Sequence, residues 1–160
     1  MHQTKNDLSL DIRTKVTALL NARLADAIDL TLQGKQAHWN VKGPQFIALH
    51  ELFDKVVESA EDWVDDLAER VVALGGVAEG TIGAVGKKTT LAAYSLELVE
   101  GQEHVDALSS ALAKFGKGVR AAIDESDKLG DKDTADLFTG ISRDSDKYLW
   151  FLEAHLQGKR

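Results

Sequence analysis

The sequence predicts an all-α fold in which four long amphipathic helices pack as a bundle with one long connection in the middle. Three observations carry this. A single proline, Pro44, interrupts 160 residues, and apolar residues recur at three- and four-residue steps instead of alternating. About twenty residues separate the second and third apolar stripes, more than antiparallel neighbours need. With 44% apolar content and no low-complexity tract, the chain fits one domain over 1–160, with short tails at 1–11 and 157–160.

Val16, Leu20, Leu24 and Ile28 define the first stripe, in a helix expected over about 12–39 and ended by Gly43-Pro44, which also opens the next helix. The second is the most regular: Phe46, His50, Phe53, Val57, Ala60, Val64, Leu67, Val71 and Leu74, stopped by Gly75-Gly76. A third stripe runs from Leu98 through Leu108, Leu112 and Phe115 to Ile123, and a fourth from Phe138 to Leu156 with Asp131 or Asp133 as N-cap. Between the second and third, GGVAEGTIGAVGKKTTLAAYS is expected to form a long crossover of the ferritin-like kind between the second and third helices, and TTLAAYSLE within it is a candidate short extra helix.

Composition excludes whole classes of chemistry. Cysteine is absent, so a metal would have to be held by His, Asp and Glu. No charge-free apolar run approaches the roughly 18–20 residues of a membrane span, and MHQTKNDLSLDIRTK lacks the apolar core of a secretory signal. The expectation is a cytoplasmic protein with no membrane partner. Net charge of −7, from 19 Lys+Arg against 26 Asp+Glu, discourages generic nucleic-acid binding and suits the attraction of cations.

The second helix holds the chemistry. At about 100° per residue, His50, Asp54, Asp65 and Glu69 share one face, in two pairs with i,i+4 spacing. Asp54 and Asp65 nevertheless lie roughly 16 Å apart along the axis, while the ligands of one iron or zinc must lie within about 2.3 Å of it. One helix cannot close such a site. Two copies packed antiparallel would bring the pairs together if they cross near Ser59 and Ala60, with His38 supplied from the end of the first helix. Two imidazoles and three carboxylates suit Fe(II), with Zn(II), Mn(II) and Co(II) as competitors.

KQAHWNVKGPQFIALHELFD, followed by DDLAERVVALGG and later by TADLFTGISRDSDKYLWFLEAH, resembles the Dps family of miniferritins over about residues 26–156. The resemblance implies ferritin-like subunits assembled into a hollow dodecamer, ferroxidase centres at two-fold interfaces, oxidation of Fe(II) preferentially by hydrogen peroxide, and storage of Fe(III) as a mineral core. Carried over by motif, the ligands are His38, His50 and Asp54 of one subunit and Asp65 and Glu69 of its mate. Trp39 matches a tryptophan beside that centre, with interception of stray oxidising equivalents and interface packing as open alternatives, and Trp150 is expected in the core. Trp63 departs from the pattern, because many relatives carry histidine there; an auxiliary ligand near the two-fold axis is thereby lost and an oxidisable ring gained.

The resemblance also places a three-fold pore at DESDKLGDKDTAD, making Asp127, Asp131 and Asp136 candidates for a cation entrance, although capping alone explains several of these acids. DNA-binding relatives use Lys/Arg-rich tails. Here residues 1–15 set Lys5, Arg13 and Lys15 against Asp7 and Asp11, and the C-terminus ends in Gly-Lys-Arg, so DNA binding is expected to be weak or absent. A nucleoid-associated, DNA-compacting dodecamer is the alternative. His2, His104 and His155 are expected to be surface or core residues.

Overall fold

In a computed structural model, which describes residues 1–158, the chain forms five helices: α1 (Leu10–Asn40), α2 (Phe46–Ala73), α3 (Ile82–Lys88), α4 (Gly101–Leu129) and α5 (Lys132–Gln157). Among the described residues no strand occurs, and 77% of them are helical. The pairs α1/α2 and α4/α5 form two helical hairpins, and α1 packs against α4 to join them.

Each boundary has a local cause. Ser9 caps α1 by accepting from the Ile12 amide. Gly43, at φ 109°, makes the turn into α2, and Gly75, at φ 84°, follows its last residues, both conformations costly for any residue with a Cβ. The Glu103 carboxylate accepts from the amides of Glu100 and Val99 at the start of α4. Asp131 caps α5 through the Thr134 amide.

The four apolar stripes converge on a common core. Leu20, Leu24, Phe53, Phe115, Phe138 and Leu152 are fully buried or nearly so, each stabilising the bundle by roughly 1.5–3 kcal/mol over exposure. α1 packs tightly on α2 at Gly34, where a Cβ would lie 2.7 Å from the Val57 side chain. That contact lies one turn before His38 and so sets the spacing of the helices where the chemistry sits.

The crossover departs from expectation. Its extra helix is α3, at Ile82–Lys88, and TTLAAYSLE is not helical. Buried Asp26 on α1 accepts from the Thr90 amide at 2.6 Å, Asp29 from the Thr89 hydroxyl at 2.6 Å, and Gln33 donates to the Ala92 carbonyl. These bonds draw the segment out along α1 and replace a helix's internal bonds.

Two tryptophans also differ. Trp63 is buried inside its own subunit, stacked on Phe115 with ring centroids 5.5 Å apart, so it fills the core and does not stand on the Asp65 face. Trp150, expected in the core, is 62% exposed on the outer side of α5, against Phe151. The inward positions of that helix are Ile141, Ser145 and Leu152, and position 150 lies well around the helix from them.

The N-terminal residues lie against the body of the fold. The His2 amide donates to the Gly75 carbonyl at 2.6 Å, and Arg13 donates to the carbonyls of Leu8 and Leu74.

Candidate metal centre

The turn between α1 and α2 brings His38, His50 and Asp54 together. His38 Nδ1 lies 2.8 Å from the His50 carbonyl oxygen, and His50 Nδ1 lies 2.9 Å from the His38 carbonyl oxygen. A ring nitrogen facing a carbonyl must carry the hydrogen, so each imidazole donates from Nδ1 and keeps its Nε2 lone pair for another partner. The two rings stack with centroids 3.7 Å apart. This reciprocal clasp fixes the tautomer and orientation of both rings using backbone alone.

Asp54, one turn beyond His50, is 3.7 Å from His38 Nδ1 and only 2.5 Å from the Lys35 ammonium. The hydrogen bond from Lys35, with lesser help from the His38, Lys35 and His50 charges, holds the Asp54 carboxyl below the ordinary carboxylate range against the opposing effect of burial. Asp54 is therefore held as an anion, with an ammonium on its Oδ1. Sequence reading missed Lys35. Its signal was present, because Lys35 precedes His38 by three residues and so lies on the same side of α1.

Asp65 and Glu69 are exposed and make no hydrogen bond or ion pair among the described residues. Within one chain, no three His, Asp or Glu side chains of the described residues are grouped to hold a metal ion. Of the two small residues expected at a crossing of two copies, Ser59 is half-buried and Ala60 is not available for a close approach. Ala60 is fully buried in its own bundle, and the outward face at that level carries Glu58 and Glu61. Beside it, Ile28, Thr31, Leu32, Glu61 and Val64 line a shallow, mostly apolar cleft. Trp39, next to His38, is 68% exposed.

Of the three pore candidates, Asp127 and Asp136 are exposed, the former paired with Lys132. Asp131 is not free to line an opening. It is 2% exposed, accepts from the Thr134 amide and hydroxyl, and forms a 2.8 Å ion pair with Arg70. His104 is buried, while His2 is exposed and His155 partly so.

A four-helix bundle with a long crossover and a histidine-carboxylate face on its second helix defines the ferritin-like class, and the ferritin-like domain family matches residues 17–160. The chain is 51% identical over 158 residues to a DNA protection during starvation protein of Agrobacterium fabrum, covering 99% of this chain and 98% of that one. It is 37% identical over 142 residues to the protein of that name from Mycolicibacterium smegmatis, covering 89% of this chain and 77% of that one. Among solved structures, Mycobacterium smegmatis Dps superposes with a TM-score of 0.94 at 34% identity, over 99% of this chain and 96% of that one. Dps from Microbacterium arborescens, in a high iron form, gives 0.87 at 36%, over 92% and 96%. The chain belongs to the Dps family of ferritin-like proteins. No helix among the described residues is long and apolar enough to cross a membrane.

Proposed function

We propose that this chain is the subunit of a cytoplasmic iron-oxidising and iron-storing cage, a dodecamer whose ferroxidase centres are completed only where two subunits meet. The observation that carries this reading is the division of the ligand set. His38, His50 and Asp54 are pre-positioned at one end of α2, whereas Asp65 and Glu69 stand exposed and unpartnered at the other. An antiparallel mate supplies Asp65 and Glu69 to the clasped histidines.

Iron is the substrate. The Nε2 lone pairs of His38 and His50 bind Fe(II), and the carboxylates of Asp54, Asp65 and Glu69 favour the more highly charged Fe(III) product. With hydrogen peroxide as oxidant, two Fe(II) each give one electron, the O–O bond breaks, and two protons are taken up to form two waters. Pairing the electrons avoids releasing hydroxyl radical. Metal binding requires Asp54 to exchange the Lys35 ammonium for the metal, and Zn(II) competes for the same donors. Asp127 and Asp136 are the acids left to line a cation entrance, and Fe(III) accumulates as a mineral in the hollow interior.

The alternative, a DNA-compacting dodecamer with secondary iron chemistry, is disfavoured by the charge of −7 and by the N-terminal residues being bonded to the subunit surface. Lys159 and Arg160 lie outside the described residues. Gel shifts across a salt series are expected to show weak or no binding, and retention at high salt would restore that reading.

The deciding experiment measures Fe(II) oxidation with peroxide and with air for the wild type, Asp65→Ala and the His38→Ala/His50→Ala double variant. Each variant loses the fast reaction, while co-assembly of the two restores part of it, because one mixed dimer contains one intact centre. Fast oxidation by both variants alone would remove these residues from the site, and no rescue on mixing would make the site intrasubunit.

A further inference from the structure

Away from the ligand face, the crossover and α4 hold a second redox-capable arrangement. The Tyr94 hydroxyl lies 2.7 Å from His104 Nδ1, and the two rings stack at an interplanar angle of 19°. His104 is 1% exposed, and its Nε2 has no hydrogen-bond partner at bonding distance among the described residues. The imidazole also approaches, in a tilted arrangement with ring centroids 6.5 Å apart, Phe53, the residue next to Asp54 on α2. Tyr94 borders an open cleft between the crossover and α4 and so has contact with solvent.

The phenol is the better donor and the imidazole nitrogen the better acceptor, so Tyr94 O–H donates to Nδ1 and the ring's own hydrogen sits on Nε2. Burial pushes the His104 imidazole below its ordinary range, while the Leu98 carbonyl and Glu103 oppose this and Lys42 reinforces it. The ring is thus a neutral base at physiological pH. Burial raises Tyr94 well above the ordinary phenol range, so the phenol keeps its proton. The 2.7 Å separation lies within proton-transfer reach.

We propose that Tyr94 and His104 form a proton-coupled electron donor that quenches one-electron oxidants within the subunit. Hydroxyl radical, formed when Fe(II) passes a single electron to peroxide, takes one electron from Tyr94 and becomes hydroxide. The phenolic proton moves to His104 Nδ1, leaving a neutral tyrosyl radical beside an imidazolium. One electron from a further Fe(II) and return of the proton restore the pair. The source of the oxidant and the final reductant rest on the iron reading above; the pair itself does not. Tyr148 supplies an internal comparison, since its ring contacts are Phe151 and the Lys147 ammonium, with no base at its hydroxyl among the described residues.

The test uses azide radical generated by pulse radiolysis as an iron-free one-electron oxidant of the full-length assembly, with the radical read by its absorbance and electron paramagnetic resonance. Expected is a tyrosyl signal that survives Tyr148→Phe and disappears in Tyr94→Phe. In His104→Gln, which can accept a hydrogen bond but not take up a proton, it forms several-fold more slowly and without a solvent deuterium effect. Equal tyrosyl yield in Tyr94→Phe and wild type, or unchanged rate and isotope effect in His104→Gln, would overturn the pair. Tyr94→Phe carries the test alone if His104→Gln does not assemble. Anaerobic Fe(II) added after the pulse should speed decay of the wild-type radical; no acceleration would overturn the regeneration step. Because the first arm contains no iron, its result stands whether or not the ferroxidase reading holds.

Discussion

The two ends of the chemical face of α2 are built in opposite ways. At the N-terminal end, His38 and His50 hold each other's carbonyl oxygens, their rings stack, and Asp54 has a cation on it. At the C-terminal end, Asp65 and Glu69 project without a partner among the described residues, and the next residue, Arg70, turns inward to Asp131 and Thr134. Folding of one chain orients the two imidazoles, including their tautomers, and leaves the Asp65 and Glu69 carboxylates unengaged among the described residues. On the function proposed above, the less adaptable imidazoles, with one usable lone pair each, are oriented by the fold, and the carboxylates adjust when a mate arrives.

The sharpest way to break this comparison is to remove the exposed end. Asp65→Ala/Glu69→Ala is expected to lower the fast Fe(II) oxidation rate by roughly 100-fold or more, since even outer-shell changes at metal sites cost 10–100-fold. The same variant should keep its unfolding free energy within about 0.5 kcal/mol, as exposed substitutions do. Stopped-flow absorbance and denaturant titration check the two halves. A large stability loss would mean that these acids already serve the folded chain.

Arg70 reverses the pattern. Arg70→Met should cost roughly 3–5 kcal/mol in denaturant unfolding, because it leaves the buried Asp131 carboxylate without its cation at the junction of α2 and α5. The oxidation rate per folded assembly should change little. Asp131→Asn, which keeps the cap and removes the charge, should recover part of that stability in the Arg70→Met background.

His50→Ala should fall between the two in stability and with the first in activity. It removes one half of the clasp and the ring that stacks on His38, a loss of about 1–2 kcal/mol by thermal or denaturant unfolding. The fast oxidation phase should be lost as well. If stability is unchanged while activity disappears, the clasp orients the rings without holding the turn together.

The legibility of these features in the sequence followed the range of the interactions involved. The four long helices were readable because repeats such as Val16, Leu20, Leu24 report local geometry, and Gly75 marked the end of α2 for the same reason. The common face of His50, Asp54, Asp65 and Glu69 was likewise a matter of angle per residue. What the pattern hid was long-range. The extended path of Thr89 and Thr90 is set by Asp26 and Asp29 sixty residues away. The inward turn of Trp63 is set by Phe115, and the capture of Asp131 by Arg70. Ala60 was misplaced because small size suits close approach inside a bundle as well as between bundles.

The smallest effect tests the cation on Asp54. Lys35→Met keeps the apolar stem and removes the ammonium, and because both partners are about one-third exposed, its cost at neutral pH should stay within about 1 kcal/mol. The pH dependence carries the information. A carboxyl held below its unfolded value contributes stability that is present above the ordinary carboxylate range and is lost as pH falls through the folded value. Without Lys35, that contribution shrinks, so the difference between variant and wild type should narrow as the solution is acidified below that range. Titration of Asp54 by carboxyl-carbon magnetic resonance should show its pKa rising toward the ordinary value. Calorimetry at neutral pH should show Zn(II), as a non-oxidising probe, binding more tightly to the assembled variant, because the metal no longer has to displace an ammonium. Unchanged Zn(II) affinity alongside a shifted Asp54 titration would mean that Lys35 tunes the charge of the folded half-site without competing for it.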